Sequence, residues 1–202
     1  MPRKSQLTRQ DAENAVLTSS KIIREVGEKN GKWIMDVAQV MVHAVNSGKK
    51  ILFCGNGGSA ADAQHLAAEL SGKFYLNRDA IPAVSLTTNT SILTAVGNDL
   101  GFEKIFSRQL EAMGARGDVL VAITTSGKSE NIIRAVRTAK KKGLKTVCLT
   151  GLKGRELARE CDFSLIVPSE ESPRIQEAHI TVGHTICWLV EAQLFGKKGK
   201  GK

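Results

Sequence analysis

Two short stretches hold residues whose types and spacing could do chemistry. Gly55-Asn56-Gly57-Gly58-Ser59-Ala60-Ala61-Asp62 follows the apolar run Ile51-Leu52-Phe53-Cys54 and leads into a helical segment containing His65 and Glu69. A buried strand that breaks into glycines and then starts a helix turns several backbone N–H groups toward one point. Together with the positive end of the helix dipole, those donors form a site for an anion such as phosphate. Glycine allows the sharp turn and a close approach of backbone to ligand. The same residues also fit a plain strand-to-helix turn with Ser59 as an ordinary N-cap. The second stretch is Thr124-Thr125-Ser126-Gly127-Lys128-Ser129, whose four hydroxyls and one glycine can wrap phosphate oxygens. N-caps use the same residue types, so this loop gains weight only beside the first. Neither stretch has the G-x-x-x-x-G-K-[ST] spacing of a Walker loop, so nucleotide hydrolysis is not expected.

Both loops need a scaffold that sets strand ends side by side. Short apolar strands are expected at Lys50–Cys54, Ala83–Leu86, Asp118–Ile123, Lys145–Leu149 and Phe163–Val167. Helices are expected at about Ala60–Lys73, Ser91–Val96, Phe102–Met113, Glu130–Lys142, Gly154–Arg159 and Ile175–Phe195. Upstream, Asp11–Asn30 and Lys32–Asn46 carry helix-spaced apolar residues on either side of Gly31 and read as a helical hairpin. Alternating strands and helices imply an α/β fold with a parallel sheet covered on both faces. Ligands of such sheets bind beyond the carboxyl ends of the strands.

Composition narrows the class further. The 202 residues suit one core, and we expect one domain over residues 1–196 with a disordered lysine- and glycine-rich tail at 197–202. No run of eighteen apolar residues predicts a membrane span, and the polar start at Met1–Gln10 does not read as a signal peptide. Cys54, Cys148, Cys161 and Cys187 have no C-x-x-C spacing and read as small core residues of a reducing, cytoplasmic protein. The net charge of +9 comes partly from Lys197, Lys198, Lys200, Lys202 and the Lys140-Lys141-Lys142 run. With six Phe, two Trp and one Tyr in the chain, no basic and aromatic face for nucleic acid is legible. Steering of an anionic substrate is the simpler use of the charge.

Four motifs carry a resemblance. Gly55 to His65, Val96-Gly97-Asn98-Asp99, Thr124-Thr125-Ser126-Gly127 and Arg174-Ile175-Gln176-Glu177 resemble the sugar isomerase (SIS) family and, within it, the phosphoheptose isomerases. The likeness runs from about Asp11 to Phe195, with the motifs in the family's order. It implies a flavodoxin-like three-layer sandwich with a five-stranded parallel sheet, a homotetramer, and isomerisation of sedoheptulose 7-phosphate to D-glycero-D-manno-heptose 7-phosphate for bacterial surface glycans. By the same resemblance, Asn56, Gly57, Gly58 and Ser59 form the first substrate loop. Asn98 and Asp99 contact sugar hydroxyls, and Thr124, Thr125, Ser126 and Ser129 cradle the phosphate. Thr124 stands where the family usually has serine, which keeps the hydroxyl. Glu69 and His184 match the acid–base pair, with Gln176 also at the substrate. His65, Glu69, Gln176 and His184 match ligands of one Zn²⁺ per subunit, and no organic cofactor is implied.

The residues themselves support part of this set. His65 and Glu69, four apart, share one helix face and suit a common metal. Gln176 and His184 are eight apart, roughly 12 Å along a helix, so one ion could reach both only from between their turns. Read alone, Glu69 and His184 also fit a surface glutamate and a helix-buried histidine. His179 reads as structural or as a support to the site. In the chemistry implied by the family, a carboxylate moves the proton between C1 and C2 while a second group serves the two oxygens. Some SIS relatives instead regulate transcription or bind a replication initiator. Those that keep the glycine loop and the R-I-Q-E stretch lack the glutamate and the final histidine, and this chain has both. Isomerases of arabinose 5-phosphate or hexulose 6-phosphate differ at the His65-x-x-x-Glu69 helix.

Overall fold

The computed structural model describes residues 7–196; the tail expected to be disordered at 197–202 lies outside them. Its strands are β1 (Ile51–Gly55), β2 (Ala83–Ser85), β3 (Val119–Ile123), β4 (Lys145–Gly151) and β5 (Phe163–Val167). They pair in parallel in the order β2-β1-β3-β4-β5. The helices are α1 (Arg9–Asn46), α2 (Gly58–Ser71), α3 (Thr90–Asp99), α4 (Ser107–Met113), α5 (Glu130–Lys141), α6 (Arg155–Glu160) and α7 (Ser172–Phe195).

Side chains alternate across each strand, and here both faces are apolar. Ile51, Phe53, Val119, Val121 and Ile123 enter a core shared with α1, α2 and α7. Leu52, Cys54, Leu120 and Ala122 enter a second core with α4, α5 and α6. The result is the expected three-layer sandwich. No described helix is long and apolar enough to cross a membrane.

The expected helical hairpin is not formed: α1 runs unbroken through Gly31 for 38 residues. A mid-helix glycine costs only about 1 kcal/mol. Val26, Ile34, Val37, Ala38 and Met41 on either side of it are all buried in the core that α1 shares with α7, and that burial outweighs the penalty. Thr8 and Asp11 close a capping box at its start. The helix expected at Phe102–Met113 is instead a 3-10 turn at Phe102–Lys104 followed by α4.

The chain leaves β1 toward β2 on one side and β3 toward β4 on the other. The crevice beyond Gly55 and Ile123 is therefore the switch point where such sheets bind ligands.

Candidate active site

The two loops of interest end the adjacent strands β1 and β3. Gly57 has φ 55°, a left-handed conformation that suits glycine, and α2 begins at once with Gly58. The N-cap position is Gly57 and no side chain caps this helix, so Ser59 is not the N-cap that the sequence also allowed. Ser59 is buried in the first turn; its N–H donates to Asn56 O and that of Ala60 to Gly57 O, each at 3.0 Å, and no side chain caps the helix start. In the second loop, Thr124 Oγ1 accepts from Gly127 N at 3.2 Å and Ser126 Oγ accepts from Lys128 N at 3.3 Å. Thr125 Oγ1 takes a bond from the Ser172 hydroxyl at 3.3 Å. Ser129 opens α5 with no capping bond from its side chain. Gly127 has φ +65°, and a Cβ there would strike the Gly154 backbone, so the loop is locked to glycine by conformation and by space.

A reciprocal amide pair ties the loops together. Asn56 Nδ2 donates to Asn131 Oδ1 at 2.9 Å, and Asn131 Nδ2 donates to Asn56 Oδ1 at 2.8 Å. The Asn56 side chain is thus occupied in holding the two loops together, and its carbonyl accepts from Ser59 N at 3.0 Å. Asn98 and Asp99 close α3, exposed and bonded to each other at 2.7 Å. Among the described residues, no side-chain hydrogen bond joins them to either loop.

The second cluster lies between α2 and α7. His65 Nε2 stands 3.0 Å from Glu69 Oε1, and His184 Nε2 stands 3.4 Å from His65 Nε2. One donor atom from each of the three lies within 4.8 Å of the others. Metal–ligand bonds of about 2.1 Å place tetrahedral ligands about 3.4 Å apart, so the separations of 3.0 and 3.4 Å suit nitrogen, nitrogen and carboxylate oxygen around one divalent ion, which would draw the widest pair of the trio closer together. The rings of His65 and His184 meet edge-on at 4.8 Å, and Phe74 lies tilted over His184 at 5.8 Å. Burial, then the neighbouring His65, holds the His184 imidazole below its ordinary pKa against the pull of Glu69. It is therefore neutral near pH 7, as a ligand or a proton acceptor must be.

Gln176 is turned elsewhere. Its amide lies against Gly58, close enough that a Cβ there would touch Nε2. Gly58 precedes His65 by seven residues, about 10 Å along α2, so Gln176 faces the mouth of the crevice and stands off from the His65–Glu69–His184 trio.

A family model described as SIS domain matches residues 17–151. The phosphoheptose isomerase of Clostridium acetobutylicum is 51% identical over 187 residues, which cover 91% of this chain and 95% of that protein. The chain belongs to the phosphoheptose isomerase family. It is accordingly an enzyme, a sugar-phosphate isomerase. Among solved phosphoheptose isomerases, that of Neisseria gonorrhoeae superposes with TM-score 0.85 at 41% identity, covering 92% of this chain and 100% of that one. That of Francisella tularensis superposes with TM-score 0.86 at 37% identity, covering 91% and 98%.

This phosphoheptose isomerase family member also holds residues that the motifs did not mark. Asn131 lies 75 positions from its partner Asn56, and only the parallel pairing of β1 with β3 brings them together. Phe74 is one aromatic residue in a loop with no periodicity. Asp62 is part of the glycine-loop motif, yet its behaviour comes from packing: burial pushes its carboxyl up to about 6 against the opposing His65, and Oδ2 has no partner among the described residues.

Proposed function

We propose that the chain interconverts sedoheptulose 7-phosphate and D-glycero-D-manno-heptose 7-phosphate through an enediol. The observation that carries this reading is the convergence of His65, Glu69 and His184 from two helices beside an anion-binding crevice, in a chain half identical to a phosphoheptose isomerase. The phosphate lies in the crevice on the backbone N–H groups of Gly57 and Gly58, the Ser59 hydroxyl and the hydroxyls of Thr124, Thr125, Ser126 and Ser129. Asn98, Asp99 and Gln176 take sugar hydroxyls. Glu69 removes the proton from one carbon and returns it to the next, while His184 carries the proton between the two oxygens. His65, Glu69 and His184 would hold one Zn²⁺, which when bound supplies positive charge to polarise the carbonyl oxygen. In this reading Gln176 joins the ligand set only by swinging away from Gly58.

We place the enzyme in the cytoplasm, in keeping with its four unpaired thiols, and upstream of heptose-containing surface glycans. A homotetramer is supported by exposed Val16 and Leu17 on the outer half of α1 and by exposed Trp188 on α7. A groove of about 380 Å³ between α1 and α7, lined by Val26, Gly27, Gly31 and Trp188, leaves room for a second copy.

The test is incubation of purified protein with sedoheptulose 7-phosphate and detection of the aldose. The same assay with arabinose 5-phosphate and with unphosphorylated sedoheptulose should give far slower conversion. Equal rates with and without the phosphate would overturn the crevice assignment.

A further inference from the structure

The loop after α2 is held by a buried ion pair that lies outside the residues assigned to the reaction. Glu191 and Arg78 have side chains only 1% and 2% exposed. Glu191 Oε1 accepts from Phe74 N at 3.2 Å and from Arg78 Nε at 3.0 Å. Its Oε2 accepts from Tyr75 N at 2.8 Å and Leu76 N at 3.0 Å. The Arg78 guanidinium in turn donates to the carbonyls of Glu69 at 2.9 Å, Leu70 at 2.7 Å, Gly72 at 3.0 Å and Asp79 at 3.0 Å. Both groups are thus fully engaged, the condition under which burying opposite charges is tolerated.

The partners are what give the pair its meaning. The last carbonyls of a helix lack intrahelical donors and its final turn frays. Arg78 supplies donors to that turn of α2, and one of the carbonyls it fixes belongs to Glu69. Glu191 lies seven residues after His184 on α7, two turns on and on the same face. One of the N–H groups it holds belongs to Phe74, whose ring covers His184. One carboxylate therefore fastens the loop to the helix of His184, and one guanidinium fastens the loop to the turn of Glu69.

We propose that Arg78 and Glu191 are positioning residues that set the placement of Glu69 relative to His184 across the α2–α7 interface. The inference rests on the reading of Glu69 and His184 as the reacting pair. Their alignment is the quantity at stake, because a shift near 1 Å in a reacting group can cost about a hundred-fold in rate.

The experiment compares Glu191→Gln, which keeps size and acceptor oxygen, and Arg78→Lys, which keeps charge but loses the fork, with Leu110→Ala. Leu110 is fully buried in the core on the opposite face of the sheet. Each variant is assayed for melting temperature, for kcat and KM on sedoheptulose 7-phosphate, and for Zn²⁺ affinity by calorimetry. The proposal expects the two pair variants to lose kcat by about ten- to a hundred-fold with KM within about two-fold, and to bind Zn²⁺ about ten-fold more weakly. Leu110→Ala should melt earlier yet keep both quantities at 25 °C. If either pair variant does not fold, Phe74→Leu at its half-buried position tests the loop arm, with the same loss of kcat expected. Wild-type kcat and Zn²⁺ affinity in folded pair variants would overturn the proposal, as would an equal loss in Leu110→Ala. A wild-type protein that turns over no sugar phosphate, with Zn²⁺ affinity still weakened in the pair variants alone, would overturn the functional reading and leave the positioning role standing.

Discussion

Replacing His179 by Leu should flatten the acid side of the protein's stability curve. His179 is 0% exposed on α7, and among the described residues neither of its ring nitrogens has a hydrogen-bond partner. Burial pushes its pKa from 6.5 down to about 4, and the nearby Thr150 backbone opposes the shift. The folded pKa lies below the unfolded one, so the stability owed to the neutral ring is complete above pH 6.5. As pH falls from there the unfolded chain binds a proton that the folded chain refuses. Stability then drops by about 1.4 kcal/mol per pH step, roughly 3 kcal/mol by pH 4. The assay is urea unfolding of wild type and His179→Leu at pH 8, 7, 6 and 5. Any constant offset between the two reports packing, and only the difference in slope reports the titration. Between pH 8 and 7 the curves should run parallel, and below 6.5 they should converge or cross in favour of Leu. Parallel curves down to pH 5 would refute the buried neutral ring.

Ser126→Ala should raise KM for the sugar phosphate by about ten- to a hundred-fold with a smaller change in kcat, since one hydrogen bond to a charged group is worth about 1.5–3 kcal/mol. An unchanged KM in steady-state kinetics removes Ser126 from the cradle. Dialysis against a strong chelator should lower turnover, and added Zn²⁺ should restore it. Manganese, cobalt or nickel should substitute in part, because imidazole and carboxylate ligands select weakly among them. Full activity in protein shown to be metal-free would leave His65, Glu69 and His184 as proton-transfer groups alone.

The scaffold was legible wherever local pattern and tertiary demand agreed. The strands of a doubly covered parallel sheet are continuous apolar runs, and each of the five stood out between glycine, proline or polar turns. Gly31 misled because a helix break was read from one residue, whereas the apolar stripe on both sides of it is fixed by α7, some 150 residues away. The alternative of Ser59 as an N-cap falls away because Gly57 takes that position and the serine lies inside α2. In the site, the i, i+4 spacing of His65 and Glu69 was readable from the chain. The meeting of His65 with His184 spans 119 positions and could enter only through resemblance. Asn131, Phe74, Arg78 and Glu191 had no signal at all, because each matters only through a partner that the fold delivers. The Gln176 amide, beside Gly58, depends on a side-chain rotamer that no spacing rule encodes.

The central claim is that Glu69 moves a proton between sugar carbons, and Glu69→Gln tests it most directly. The change keeps size and hydrogen-bonding reach while removing the basic oxygen. Turnover of sedoheptulose 7-phosphate and calorimetric binding of the same ligand are measured on one preparation. The account predicts a loss of about 10²–10⁴-fold in kcat, with binding within a few-fold of wild type because the phosphate is held in the crevice of β1 and β3. Near-wild-type turnover in Glu69→Gln would contradict it.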